Sequence, residues 1–305
     1  MDSSVTTLSS SSEESPNWLD LPSEVTVAIL LKVGAVDILN NAQLVCKSWH
    51  TICKDPSMWR SIVMPPGRGW NAWFYFEIMA RHAVDRSFGQ LVDISIGWFY
   101  TDGIIRYLAQ SSCQLRRLQI VTCPDFSKDL LKETASKFSM LEELKVQSTP
   151  LSIDAIKAIG QSCPHLKTFK CNVFKYIRRQ SYHEKLAKMI GNTMPQLYHL
   201  ELLWTKMTNA GLKAILDGCP YLETLDLCSS NLSNLQVDHL GEVYSARYKK
   251  IVRYQESPDE DEWCDDWMDG AVMEHGWCSD DSSDYIDGMY YYYDDVVVDG
   301  DNWWL

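Results

Sequence analysis

The sequence predicts an α/β protein in which a short helical block precedes a solenoid of about six repeats and a disordered acidic tail follows. Three observations support this prediction. A leucine pattern returns six times at intervals of 24 to 31 residues, a compact apolar block precedes it, and acidic residues are concentrated at the C-terminal end. The predicted segments are a leader at 1–16, the helical block at 17–62, an aromatic-rich bridge at 63–87, the repeats at 88–250 and the tail at 251–305.

The leader is polar and rich in serine, which predicts disorder. It lacks a positively charged region followed by an apolar stretch, so we do not expect a secretory signal. An uninterrupted apolar run of about 18 residues is also missing from the sequence, so a membrane span is not expected.

The block at 17–62, called the N-terminal block below, carries signals for two helices. Leu-Pro-Ser-Glu at 21–24 predicts the start of the first helix, and Gly34 predicts its end. Val25, Ile29 and Val33 would share one face of this helix. A second helical stretch runs from Val45 towards Cys53. About 40 residues cannot bury this many large apolar groups, so we expect an exposed apolar surface that a partner covers.

Each repeat begins with an alternating apolar segment, which predicts a short strand. Helical segments follow the strands, for example at 102–109, 154–159 and 209–216, with Thr208 or Asn209 as a capping residue of the last. A period near 25 residues with this pattern is the signature of leucine-rich repeats. The leading leucines are Leu91, Leu115, Leu141, Leu166, Leu197 and Leu222.

The polar residues between the strand leucines are predicted to face the concave side of the sheet, because successive strand residues point to opposite faces. Repeat proteins use this concave surface for binding. Two tryptophans fall just past strands, where they either flank a recognition site or pack the loops. The candidate substrate-binding residues are Arg117, Lys145, Lys170, Glu201, Trp98 and Trp204.

The charge of the chain is uneven. Residues 255–305 contain 17 acidic residues and no lysine or arginine, whereas residues 1–254 carry 24 acids and 28 bases. The folded part is therefore nearly neutral, and no extended basic face argues for nucleic-acid binding. The tail also contains many aromatic residues, so it is either a solubilising segment or an inducible binding segment.

Motifs for catalysis, phosphate binding or metal binding are missing from the sequence, so we expect no catalytic residue, no cofactor and no metal. Cys264, His275 and Cys278 lie near one another in the tail, but a C-x-x-C pair does not accompany them. The ten cysteines are spread along the chain, and several occupy repeat-core positions. We therefore expect buried free thiols in a reducing compartment, which means the cytoplasm, the nucleus or both.

The N-terminal block resembles an F-box over about residues 18–62. The matching elements, in order, are Leu21-Pro22-x-Glu24, Ile29-Leu30, Val45-Cys46-x-x-Trp49 and Asp55-Pro56-x-x-Trp59. The whole chain is similar to the plant F-box/leucine-rich-repeat proteins. This resemblance implies a non-catalytic substrate receptor of a Skp–cullin–F-box ubiquitin ligase, which binds the Skp adaptor, and through it a cullin, and holds a substrate protein on the repeats.

On this resemblance, seven residues form or support the adaptor surface: Leu21, Pro22, Ile29, Leu30, Val45, Cys46 and Trp49. Some of them could instead hold the short helices together, Val45 and Trp49 above all. Two other functions stay open at this point. One is a repeat scaffold that acts outside a ubiquitin ligase, and the other is a transcriptional coregulator that uses the acidic tail.

Overall fold

A computed structural model describes most of the chain up to residue 254. The described residues are 21–64, 72–97, 101–121, 127–147, 149, 151–172, 180–203, 206–228 and 250–254, with only the backbone described for 72–75, 228 and 250–254. The chain divides into two units, Met1–Glu256 and Ser257–Leu305, and all described residues belong to the first.

Eight strands form one parallel sheet in which the spatial order follows the chain order. Parallel neighbours require a crossover between strands, and each crossover between β2 and β7 contains an α-helix of the solenoid. The predicted fold class is therefore confirmed. The strands are β1 (Ser61–Val63), β2 (Asp93–Gly97), β3 (Arg117–Val121), β4 (Glu143–Gln147), β5 (Thr168–Asn172), β6 (His199–Leu203), β7 (Thr224–Cys228) and β8 (Lys250–Tyr254).

Nine α-helices occur in the described part of the chain, three of them in the N-terminal block. They are α1 (Ser23–Val33), α2 (Ala35–Asn40), α3 (Lys47–Cys53), α4 (Ala72–Arg86), α5 (Asp102–Ser111), α6 (Leu130–Thr134), α7 (Ile153–Ser162), α8 (Gln180–Thr193) and α9 (Asn209–Gly218). Short 3₁₀ helices cover Ala42–Leu44, Pro56–Trp59 and Ala135–Lys137. The predicted helices at 102–109, 154–159 and 209–216 are confirmed within α5, α7 and α9.

The core lies between the sheet and the helices. The leading leucines of all six repeats are at most 1% exposed, and the apolar strand residues that follow them are also buried. At the amino-terminal end of each strand from β1 to β6, one backbone carbonyl accepts two amide N–H groups from the chain that leads into the next strand, at 2.7 to 3.1 Å. The N–H groups of Val92 and Asp93, for instance, both donate to the Arg60 carbonyl. These paired bonds satisfy the backbone where the chain turns into the sheet.

Hydroxyl residues cap the helices α5, α7 and α9, and an acidic side chain from an earlier part of the chain bonds to each of these caps. Thr208, a predicted cap, accepts a hydrogen bond from the Ala210 amide at 3.2 Å and donates its own amide to Glu184. Thr101, the cap of α5, donates its hydroxyl to Glu77 at 2.7 Å. Each such bond joins two repeats while it satisfies a helix end.

The structure adds a helix to one segment and differs from the prediction in another. The bridge at 63–87 contains the 15-residue helix α4. The sequence did not indicate this helix, because the many aromatic residues of the bridge are weak helix formers. The fourth repeat is longer than the others, and its extra residues around Tyr176 to Tyr182 predict a loop that bulges from the solenoid. Of these, Gln180 to Tyr182 belong to α8, and the Tyr182 hydroxyl donates to the Leu151 carbonyl at 2.8 Å. Residues 173–179 lie outside the described residues.

Ser112 is a weak point of the core. Its hydroxyl is buried without a hydrogen-bond partner, whereas the thiols of Cys163 and Cys219, at the same repeat position, donate to backbone carbonyls. A Ser112→Ala variant should therefore be about 1 kcal/mol more stable in urea unfolding. Ser152→Ala, which removes the helix cap of α7, should lose about 1 kcal/mol. Equal losses for both variants would contradict this assignment.

Candidate interaction surfaces

The N-terminal block presents an uncovered apolar surface on α1. Thr26 and Leu30 are buried on the inner face of this helix, whereas Val25 and Val33 are 43% and 39% exposed. Ile29, between those two valines on the predicted common face, is half-buried. The face predicted from Val25, Ile29 and Val33 is therefore the outer face of α1, and it is aliphatic.

A second exposed apolar pair follows the 3₁₀ helix Ala42–Leu44. Leu44 and Val45 are 55% and 64% exposed. Directly after them, the Cys46 sulfur accepts a hydrogen bond from the Trp49 amide at 3.5 Å and so begins α3. Exposed aliphatic side chains gain free energy when a partner removes them from water. The apolar surface expected for the N-terminal block is thus present, and it includes Leu21 and Leu31 in addition to the residues above.

The seven predicted adaptor residues occupy three kinds of environment. Leu21, Pro22 and Val45 are exposed, Ile29, Cys46 and Trp49 are half-buried, and Leu30 is fully buried. Leu30 can therefore support the surface only from inside. Val45 is not a core residue, while Trp49 packs against the hydrophobic core. Sequence reasoning missed Leu44, which stands beside Val45 with a comparable exposure.

Arg86, at the end of α4, joins the N-terminal block to the first repeat. Its guanidinium donates to the Gln43 side chain at 2.8 Å and to the Cys53 carbonyl at 3.5 Å, and it stacks over the Trp59 ring at 5.4 Å. Burial lowers the pKa of Arg86 from its usual value. A planar guanidinium is suited to this combination of hydrogen bonds and stacking. Residues from three parts of the block thus meet on the Arg86 side chain.

The concave face carries two aligned rows of polar residues. Strand register places Asp93, Arg117, Glu143, Thr168, His199 and Thr224 in one row. It places Ser95, Gln119, Lys145, Lys170, Glu201 and Asp226 in the other. The four predicted polar binding residues therefore share this face. Trp98 and Trp204 lie outside the described residues, so the structure does not place them relative to the rows.

Charges within the rows are partly neutralised. Arg117 pairs with Asp93 at 3.0 Å, and Lys170 pairs with Glu201 at 3.7 Å. Lys145 stands directly opposite Lys170, and it forms no ion pair with any residue that the structure describes. Like charges in opposite positions of neighbouring strands repel one another. A binding partner with a negatively charged group at this point would relieve that repulsion.

The described residues contain no group of three or more possible metal ligands. Their helices include none that is individually long and apolar enough to cross a membrane. The pair Ser23–Val33 and Ala35–Leu44, bent by 112°, meets the length and composition criteria only as a pair.

Six described cysteines are free, and four of them are buried. Burial raises the pKa of Cys163, Cys171 and Cys219 to about 12. A thiol in this state is a poor nucleophile, so these residues pack as small apolar groups.

This burial predicts a pattern of thiol reactivity. At pH 8, iodoacetamide should alkylate the exposed Cys113 in the native protein and reach Cys163, Cys171 and Cys219 only after unfolding in urea. The pKa of a cysteine thiol in the unfolded chain is about 8.5. Below that pH, the protonated thiols of Cys163, Cys171 and Cys219 contribute fully to stability. This contribution should be lost as the pH rises towards about 12. Mass spectrometry of alkylated peptides measures the pattern, and equal labelling of all four native thiols would contradict it.

The fold and the two surfaces define a class of protein: a leucine-rich-repeat solenoid joined to a helical block, each with its own surface for another protein. Comparison with known families shows which one. An F-box-like family model matches residues 18–65. The chain is 42% identical to the F-box protein SKIP19 of Arabidopsis thaliana over 79% of this chain and 78% of that protein. It is 39% identical to the putative F-box/LRR-repeat protein 9 of the same plant over 69% of this chain and 87% of that protein.

A longer relative shows the same similarity. The chain is 46% identical to the putative F-box/LRR-repeat protein 23 of Arabidopsis thaliana, over 69% of this chain and 47% of that protein. The chain therefore belongs to the F-box/leucine-rich-repeat proteins of plants.

Proposed function

We propose that this protein is the substrate-recognition subunit of a Skp–cullin–F-box ubiquitin ligase. The observation that carries the proposal is the uncovered aliphatic surface of the N-terminal block, formed by Leu21, Val25, Leu44 and Val45 in a segment that matches the F-box model. Apolar side chains that stay exposed on a folded domain mark a protein-binding surface. The partner for this surface is the Skp adaptor, which in turn connects the chain to a cullin.

The chain itself contributes binding rather than chemistry. Its buried thiols have raised pKa values, which suits packing and not nucleophilic attack. In the proposed complex, ubiquitin transfer belongs to other subunits, and this chain raises the effective concentration of substrate lysines near the activated ubiquitin. Free thiols agree with a location in the cytoplasm, the nucleus or both.

The direct test is a titration of purified Skp adaptor against the full chain and a Leu21→Ala/Pro22→Ala variant. Both side chains are exposed, so the variant should fold normally and bind the adaptor at least tenfold more weakly. A wild-type chain that does not bind the adaptor would contradict the receptor function and leave a repeat scaffold that acts outside the ligase.

We assign substrate binding to the concave face, with Arg117, Lys145, Lys170 and Glu201 as contact residues and Trp98 and Trp204 as further candidates. Three observations support this: the residues share one face, Lys145 has no ion-pair partner among the described residues, and both signs of charge are present. Mixed charge on a binding face favours specificity and fast association more than raw affinity.

A combined Lys145→Ala, Lys170→Ala, Glu201→Ala variant should lose substrate capture by at least tenfold while it keeps adaptor binding. The matched control removes two lysines and one acid from the repeat helices, at Lys132, Lys213 and Asp154, where all three side chains are exposed. The measurement compares, by quantitative mass spectrometry, the proteins that each variant recovers from plant cells whose proteasome is inhibited. Recovery of the same proteins in the same amounts by both variants would remove the assignment.

A further inference from the structure

Phe88 occupies a strained and exposed position in the turn between α4 and β2. Its φ angle is +47°, and it is the one residue other than glycine with a positive φ among those the structure describes. L-residues with bulky side chains disfavour this region, which glycine and asparagine tolerate. The side chain is nevertheless 78% exposed, so burial in this chain does not offset the strain. Strain that persists at an exposed residue is a reason to look for a function.

The other repeats do not expose this position. The residue three places before the leading leucine is at most 3% exposed in the next five repeats, where it is Ser112, Phe138, Cys163, Met194 or Cys219. In the first repeat, Ser87 is buried instead, and its hydroxyl donates to the Val84 carbonyl at 2.6 Å. The turn is therefore built differently here, with the aromatic side chain outside.

The position of this turn relates it to the N-terminal block. Arg86, two residues earlier, holds the side chain of Gln43, and the exposed Leu44 and Val45 follow Gln43 directly. On the other side of the turn, Val92 donates its amide to the carbonyl of Arg60, the residue that follows the last helix of the block. The chain is therefore bonded to the block on both sides of Phe88, by the Arg86 side chain before it and by the Val92 amide after it.

We propose that Phe88 extends the adaptor surface from the F-box onto the first repeat and contacts the same Skp-type adaptor. This inference rests on the proposed function. An exposed aromatic side chain is a typical binding anchor, because it adds a large apolar area at a small entropic cost. The adaptor is the occupant that the geometry favours over a substrate, since the residues on both sides of Phe88 bond to the block and Phe88 precedes the concave rows in the chain.

The test uses Phe88→Gly in the full chain, with purified Skp adaptor as the titrant. Glycine relieves the strained φ and removes the side chain, so the variant should melt at a higher temperature than the wild type. It should also bind the adaptor about tenfold more weakly, which corresponds to about 1.4 kcal/mol. Tyr221→Ala is the control. Tyr221 is also an exposed aromatic residue, and it lies just before β7. Because β7 is five strands from β2 in the sheet, the Tyr221→Ala variant should bind the adaptor with unchanged affinity.

Higher stability together with weaker adaptor binding supports the proposal, because a purely structural role for Phe88 cannot produce both. Unchanged affinity in Phe88→Gly overturns it, and so does a lower melting temperature with weaker binding, which would indicate a folding defect. If the wild type does not bind the adaptor either, the proposed function fails together with this inference. That result differs from equal binding by both proteins, in which only the role of Phe88 is lost.

Discussion

A Val45→Glu variant is expected to lose adaptor binding by at least 100-fold while the protein stays folded. Val45 is 64% exposed, so glutamate at this position is solvated in the free chain and changes stability by at most about 0.5 kcal/mol. In a complex, the same carboxylate would be buried in an apolar interface without a partner, which costs several kcal/mol. Isothermal titration with purified Skp adaptor, together with a melting curve of each protein, measures both quantities.

Val63→Glu is the matched control for this prediction. Val63 is 62% exposed, but it lies on β1 in register with Ser95 of the concave row, not on the N-terminal block's surface. The Val63→Glu variant should bind the adaptor with the same affinity as the wild type. Similar losses in both variants would show that added negative charge, rather than the position of Val45, weakens binding.

Gly191→Ala is expected to destabilise the repeats by about 3 kcal/mol. A Cβ atom on Gly191 in α8 would lie 2.2 Å from the Ala214 backbone oxygen of α9, and one on Gly218 would lie 2.1 Å from the Gly191 oxygen. These contacts involve backbone atoms, so relief requires the two helices to move apart and disturbs the core beneath them. The free energy of unfolding in urea, followed by circular dichroism, measures the effect.

Gly211→Ala in α9 provides the comparison. Its added Cβ would lie 3.1 Å from a Glu184 carboxylate oxygen and 3.2 Å from the Cβ atoms of Ala187 and Met207, which are tight contacts but need only small shifts. Alanine also favours the helix by up to about 1 kcal/mol. We therefore expect this variant to change stability by at most about 1 kcal/mol, well below the loss in Gly191→Ala. If Gly191→Ala were as stable as Gly211→Ala, the close packing of α8 on α9 would not contribute to stability.

The repeat strands could be predicted because their signal is local. Leu144 and Val146 alternate with Glu143 and Lys145, and this period alone determines which residues are buried and which face the concave side. The ends of α1 could also be predicted, because Pro22 precedes its first residue and Gly34, with a φ of +93°, follows its last.

Features that depend on contacts distant in the sequence could not be predicted. Arg86 bonds to Gln43, 43 residues away, and nothing near either residue indicates the pair. The bond from Thr101 to Glu77 spans 24 residues in the same way. Strand β1 is only three residues long, which is too short for a period to appear.

The candidate adaptor surface was predicted in part. Resemblance to the F-box pattern selected Leu21, Pro22 and Val45, which are exposed, but also Leu30, which is fully buried. Ile29 and Leu30 are adjacent apolar residues in a helix that is apolar on several sides, so the pattern alone does not separate the inner residue from the outer one. Exposure in the folded chain makes that distinction.

The most direct test of the receptor function is to mix the purified full chain with Skp adaptor and cullin and determine the mass of the resulting complex by analytical ultracentrifugation. We predict a complex with one copy of each protein for the wild type and no incorporation of the Val45→Glu variant. Binding of the adaptor with exclusion of the cullin would contradict the ligase role and favour a scaffold that uses the adaptor alone.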